Sequence, residues 1–350
     1  MLALSVFPVV LLSAGDLKIE RVFGPETPTG RYKHPASITE LTNGDLLLAY
    51  YGGEGEYAVN TGVFVATWKK ETGTWGKPRM AAHDPFRSVG NGVVWQAPDG
   101  LVWLFYVVRW GSTWSTSRIQ AKVSKDGGET WSDSFVVSEK EGMMVRGAPI
   151  VLDTGEYYLP VYHETGHDTE NVGPDTTSRF LRFDTKAKEW KESGVIRSRK
   201  GNLQPAVVQL DSKHLVAYCR RGGGYGPVKD GYTVRAESND GGRTWSEGND
   251  TEFPNPNSAV DLLKLSSGKI LFVYNDSMSE RTPLRVALSA DGTKTWPWRR
   301  NIAEGRNSYA YPFAIQSRDG KIHLVYTADS RTVVMHAVFD EEWVVQGTAH

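Results

Sequence analysis

The sequence predicts an all-β chain folded as a six-bladed β-propeller, and three periodic features carry that prediction. The octet Ser238-Asn239-Asp240-Gly241-Gly242-Arg243-Thr244-Trp245 recurs as Ser124–Trp131 and, slightly altered, as Ser289–Trp296. Six strand–turn–strand units follow one another, with second turn residues Gly44, Gly100, Gly155, Lys213, Gly268 and Gly320 spaced 56, 55, 58, 55 and 52 apart. Trp75, Trp131, Trp190, Trp245, Trp296 and Trp343 keep step, at intervals of 56, 59, 55, 51 and 47. Self-similarity at this period marks a repeat architecture, and a unit of four short strands is a propeller blade.

Taken in order, Leu17 to Phe23 is expected to supply the strand that closes the ring with the last blade. The hairpins are Pro35–Tyr50, Val93–Tyr106, Pro149–Tyr162, Pro205–Tyr218, Ala259–Tyr274 and Pro312–Tyr326, each ending in an apolar run into Tyr. After each comes a second strand pair closed by a Trp-bearing turn. In the octets the Asp is expected to cap its own turn and the Trp to pack within the blade. Only one carboxylate is common to the three octets, too few for calcium. No helical periodicity appears, and residues 16–350 read as a single propeller domain.

Composition narrows the function classes. Of 350 residues, 39% are hydrophobic and 23% charged, the balance of a soluble globular protein. A net charge of -1 gives no reason to expect nucleic acid or an anionic membrane as partner. The single Cys219 excludes an intrachain disulfide framework and a Cys-based zinc site. No run of 18 apolar residues exists to span a membrane. Leu2 to Leu12, followed by Ser13-Ala14-Gly15, reads as a signal peptide over residues 1–15, which implies export to the periplasm or medium. The absence of Lys or Arg before that run leaves a cytoplasmic protein with a retained strand as the rival reading.

Propeller geometry then places the site. The start of each hairpin's first strand and the end of its second lie on one face, around the axis. Strand starts there are His34, Asn91, Arg146, Gln204, Asn257 and Tyr309; strand ends include Tyr51, Arg109, His163 with Glu164, Arg220 with Arg221, and Asn275. Arg281 follows on the next loop. Arg146, Arg220 and Arg281 are expected to converge on one anion, and a planar guanidinium suits a carboxylate. Asn257, Asp261 and Asn275 are candidates for ligand hydroxyls, with Asn91, Arg109 and Tyr311 beside them. His34 and His163 are candidate proton-transfer groups. His163 and His167 lie on a strand end and loop, where that spacing does not present one face, so no metal is expected. Nothing calls for a cofactor.

With these residues in place, the chain resembles the sialidase (neuraminidase) superfamily, whose repeats are called Asp boxes or BNR repeats, from about Pro35 to Trp343. The resemblance implies an arginine triad for a sialic-acid carboxylate, a Tyr nucleophile assisted by a Glu, and an Asp as acid/base. By position it implies Arg220 as the second arginine, Arg281 as the third, and Tyr309 as nucleophile in Tyr309-Ala310-Tyr311-Pro312. The sequence departs from the pattern in three places. His34 stands where the first arginine should open the first hairpin. Gln204 replaces the assisting Glu. The loop after the first hairpin offers Glu54 and Glu56 but no Asp.

The leading expectation is a sialidase-like, exo-acting glycoside hydrolase on a terminal acidic sugar, with Glu54 or Glu56 protonating the leaving oxygen. A uronate-directed lyase, or a non-sialic glycosidase, is the second. A non-catalytic glycan-binding propeller is the third.

Overall fold

The computed structural model describes residues 15–347 apart from residue 170. The apolar run Leu2–Leu12 lies outside the described residues.

Six antiparallel sheets stand around a central axis as the blades of a propeller. Each begins with a strand beside the axis and adds the next strands outward. Blade 4, for example, is Asn202–Gln209, Leu215–Arg221, Tyr232–Ser238 and Asn249–Pro254 in that order. Burial falls from the axis outward, which explains the unbroken apolar runs of the hairpins. All eight residues of Asn202–Gln209 and of Leu46–Gly53 are buried, covered by neighbouring blades on both faces. Outer strands such as Glu189–Glu192 are mostly exposed. Lys18–Phe23 pairs antiparallel with Val333–Phe339 and completes the sixth blade, as Leu17 to Phe23 was expected to do.

The octets pin neighbouring blades together. Asp240 accepts hydrogen bonds from the backbone N–H groups of Arg243 and Thr244 (both 2.9 Å) and from the Thr244 hydroxyl (2.6 Å). Asp126 and Asp291 repeat the pattern. Trp296 packs in part within its own blade, as expected, but Trp245 and Trp296 also reach the preceding one. Trp245 stacks on Phe180 of blade 3 and donates to the Tyr158 hydroxyl at 3.1 Å. Trp296 sits edge-on to Tyr218 of blade 4 and tilted against Phe272 of its own blade. The turn must therefore approach the neighbouring blade closely. At Gly242, with φ of 80°, a Cβ would meet the Tyr158 hydroxyl at 2.6 Å.

At the axial entry the first strands are kinked. Bulges fall between Lys33 and Ala36, Gly90 and Val93, Leu203 and Ala206, and Ala310 and Phe313. Asn91, Gln204, Asn257 and Tyr311 take φ of 50–57° there. A non-glycine residue in this region costs about 1 kcal/mol or more, and such bulges re-aim side chains. They turn Asn91, Gln204 and Tyr311 toward the axis. In blade 3 the first strand is interrupted, Met143–Val145 and Ile150–Val151 flanking Arg146-Gly147-Ala148-Pro149.

Candidate active site

Tyr311 is the centre of the axial face. Its hydroxyl accepts from Arg220 Nη1 at 2.6 Å and from Gln204 Nε2 at 3.4 Å. Gln204 Oε1 in turn accepts from Arg220 Nη1 at 3.1 Å, which fixes the amide so that its N–H side faces the phenol. The Arg146, Arg220 and Arg281 guanidiniums lie 5.6, 5.7 and 5.4 Å from the Tyr311 ring. Burial pushes the phenol up, but Arg220, then Arg281 and Arg331, outweigh it and bring Tyr311 below the usual tyrosine value. An oxygen receiving two donors beside several cations is arranged to carry negative charge.

The arginine cluster differs from the expected one. Arg220 is fixed through Nε to Asn257 Oδ1 (2.6 Å), and Arg281 Nη2 donates to the Asn257 carbonyl (3.0 Å), so Asn257 orients both. The third cation is Arg331, on the turn after Ala328, with φ of 68°. It ion-pairs with Glu56. Arg146 does not join them. Trapped in the interruption of its strand, it lies beneath Tyr311 and donates to the Tyr311 and Pro312 carbonyls at 2.7 and 3.1 Å. It holds the kinked backbone that presents the phenol.

Tyr309 also stands apart from the expected arrangement. Its hydroxyl donates to the Glu304 carbonyl at 3.0 Å, away from the arginines, while its ring meets Tyr326. The two tyrosines are two residues apart, but the bulge falls after Ala310, so Tyr311 takes the entry position shared with Gln204 and Asn91. The sequence carried the signal: His34-Pro35, Gln204-Pro205 and Tyr311-Pro312 are in register.

A cavity of 30 Å³ adjoins the phenol, lined by Glu56, Asn91, Tyr162, Glu164, Gln204, Arg220, Tyr225 and Tyr311 among others. Glu164, noted in the sequence only as the neighbour of His163, is its second carboxylate. Desolvation raises its carboxyl to about 7, against the lowering effect of Arg220 and with a further push from Glu56. Glu56 also accepts from Tyr32 (3.2 Å) and from Trp114 Nε1 (3.2 Å). Glu54 is exposed and lines no part of this cavity. Tyr225 closes the other side: its hydroxyl accepts from Arg220 Nη2 at 3.1 Å.

The remaining candidates support the site from behind. His34, preceding cis-Pro35, sets its ring edge-on against Tyr311 at 4.1 Å and bonds Thr327 Oγ1 through Nδ1 at 2.7 Å. Burial, then Arg331, Arg281, Arg146 and Arg220, hold it well below the usual histidine range, so it is neutral. His163 does not line the cavity; Arg179, Lys140 and Glu192 are the charges beside it. Asn91 donates to the Tyr162 hydroxyl at 3.2 Å. Arg109 ties down a loop through the Tyr57 and Ser112 carbonyls. Asn275 donates to the Tyr309 carbonyl at 3.0 Å, and Asp261 accepts from the Ala314 N–H at 2.6 Å, below the pocket floor. Asp261 instead borders a 440 Å³ channel that opens along the axis at the hairpin-turn end, lined by Ile38, Val94 and Phe313. Among the described residues no group of three His, Cys, Asp or Glu side chains is placed to hold a metal.

Comparison with known proteins adds to this geometry. The pattern of the family described as BNR repeat-like domain matches residues 44–324. The sialidase of Micromonospora viridifaciens is 24% identical over 244 residues, covering 67% of this chain and 34% of that protein. The chain thus spans about a third of that relative's length. The Hadza microbial sialidase Hz136 superposes with a TM-score of 0.78 at 15% identity, over 93% of this chain and 69% of the other. An intramolecular trans-sialidase from Ruminococcus gnavus, solved with oseltamivir carboxylate, gives 0.73 at 14% identity, over 92% and 97%. At these identities the structural likeness shows the fold.

Proposed function

This chain belongs to the BNR repeat-like family, and from that premise we propose that it is an exo-acting glycoside hydrolase on a terminal acidic sugar. One observation carries the reading: a phenol lowered by arginines and a carboxyl raised to about 7 border one cavity. The sugar carboxylate is held by Arg220, Arg281 and Arg331, whose planar donors suit it. Tyr311, its proton released to solvent, attacks the anomeric carbon as the phenolate and breaks the glycosidic bond, its charge before attack and after release balanced by Arg220 and Gln204. Glu164, half protonated near neutral pH, gives its proton to the leaving oxygen, then takes one from the water that releases the sugar. Gln204 cannot accept the phenolic proton as a carboxylate would, but it donates to the oxygen once that proton is gone. Activation here is by cations and a donor amide. The sialidases among the relatives favour a sialic acid as the sugar.

The same Gln204 favours a second reading, β-elimination on a uronate. The arginines would neutralise the carboxylate and acidify the adjacent C–H, Tyr311 would remove that proton, and Glu164 would protonate the departing oxygen. Mass spectrometry of products from sialyl- and uronyl-terminated oligosaccharides separates the two. Free acidic sugar supports hydrolysis; an unsaturated uronate, lighter by one water, replaces it with elimination. Binding without any product would reduce the protein to a lectin.

A further inference from the structure

We propose that the open groove beside the arginine cluster is a second anion-binding subsite, which receives the next, also acidic, unit of a glycan chain. This deepens the reading of the pocket as an acidic-sugar site and rests on it. The groove has a volume of 840 Å³, the scale of a ligand site, and Tyr225 forms a wall of both it and the inner cavity. A ligand held by Arg281 and Arg331 therefore leads directly into the groove, since both arginines also line it.

Its charge is one-sided. The lining carries Arg281, Arg306 and Arg331 against a single carboxylate, Glu280. Arg331 is engaged with Glu56, and Arg281 faces the pocket. Among the described residues no carboxylate lies within ion-pair distance of Arg306, which is exposed. The backbone that carries it is braced on both sides. Thr282 Oγ1 donates to the Gly305 carbonyl at 3.1 Å, and Asn307 Nδ2 donates to Asp329 at 2.7 Å. Asn307 Oδ1 accepts from the Ser308 and Asp329 N–H groups at 2.7 and 3.0 Å, which occupies the nearby acidic turn with Asn307. A cation on a fixed loop, facing a groove without its counter-charge, is a seat for an anion borne by the ligand. The loop runs from Arg306 through Tyr309 into Tyr311, so the groove and the phenol belong to one segment.

A carboxylate and a sulfate share the chemistry Arg306 recognises, and the test separates them. Calorimetry would compare the free acidic monosaccharide, N-acetylneuraminic acid, with non-hydrolysable S-linked glycosides of it. In these the second unit is neutral (lactose), a second sialic acid, or a lactose bearing sulfate. The full chain and its Arg306→Gln variant, which alters an exposed side chain only, would be titrated side by side. One of the two acidic second units is expected to bind roughly fivefold tighter than the neutral one, the upper end for an exposed ion pair. Arg306→Gln should abolish that gain and leave the monosaccharide unchanged. Equal affinity for neutral and acidic second units, or a gain that survives Arg306→Gln, overturns the inference while the pocket reading stands. Failure of the monosaccharide to bind at all overturns the pocket reading and this one with it.

Discussion

Tyr311 and Tyr309 are chemically alike and two residues apart, yet only one hydroxyl meets a guanidinium. Tyr311→Phe should lower kcat by at least about a thousandfold with little change in KM, whereas Tyr309→Phe should stay within about twofold of wild type. Equal losses in both would count against Tyr311 as the reacting group. Glu164 gives a prediction in pH. Its carboxyl is raised from 4.5 to about 7, so the folded protein keeps a proton that the unfolded chain has lost. Its contribution to stability is intact below pH 4.5 and falls as pH rises through 7. Glu164→Gln should match wild type near pH 4 and exceed it at pH 8 by at most ~3 kcal/mol in urea unfolding. Wild-type turnover should decline above about pH 7 as the acid loses its proton.

At the scale of elements, the octet turns and the glycine-flanked Tyr225 loop have opposite characters. Asp240 is held down to about 2, hydrogen bonds from Thr244, Ser238 and the Arg243 N–H winning over its desolvation. Removing them with Asp240→Ala should cost about 1–2 kcal/mol of stability at pH 7 and leave ligand affinity unchanged, as calorimetry and thermal unfolding would report together. Tyr225 sits in Gly222-Gly223-Gly224-Tyr225-Gly226, and its hydroxyl occupies Arg220 Nη2. Each terminal nitrogen of Arg220 thus has an N–H committed to a phenol, and Nη2 alone keeps a second N–H open. Tyr225→Phe should free one for a ligand carboxylate and tighten N-acetylneuraminic acid by about two- to fivefold. Weaker binding would mean that the hydroxyl touches the sugar itself.

The elements also show what the sequence could and could not disclose. Hairpins and blades were legible because inner strands, covered on both faces, must be apolar throughout, and because Asp-Gly turns recur at fixed intervals. The side chains facing the axis were only half legible. A bulge advances the chain by one residue, so an alternation read from Tyr309 mistakes which tyrosine turns inward. Arg146 departs from its expected place because its strand is interrupted at Arg146-Gly147-Ala148-Pro149, which no count of spacing reveals. Arg331 is legible by the same reading of strand ends, since it follows the sixth hairpin's second strand.

At the scale of the whole molecule, the ring depends on a pairing between distant parts of the chain. Lys18–Phe23 supplies the outer strand of the sixth blade. Deleting residues 18–23 should expose the Val333–Phe339 edge, lower the melting temperature and raise light scattering on heating. Unchanged melting would show that the remaining contacts close the ring unaided. The same pairing sets a timetable for birth on the ribosome. Lys18 meets Val338, and at 5–20 residues per second its partner arrives roughly 16–64 s later. For that interval five blades can form while the first-made strand waits, unpaired and open to the wrong neighbour. The protein's most vulnerable moment is thus the wait for its last blade.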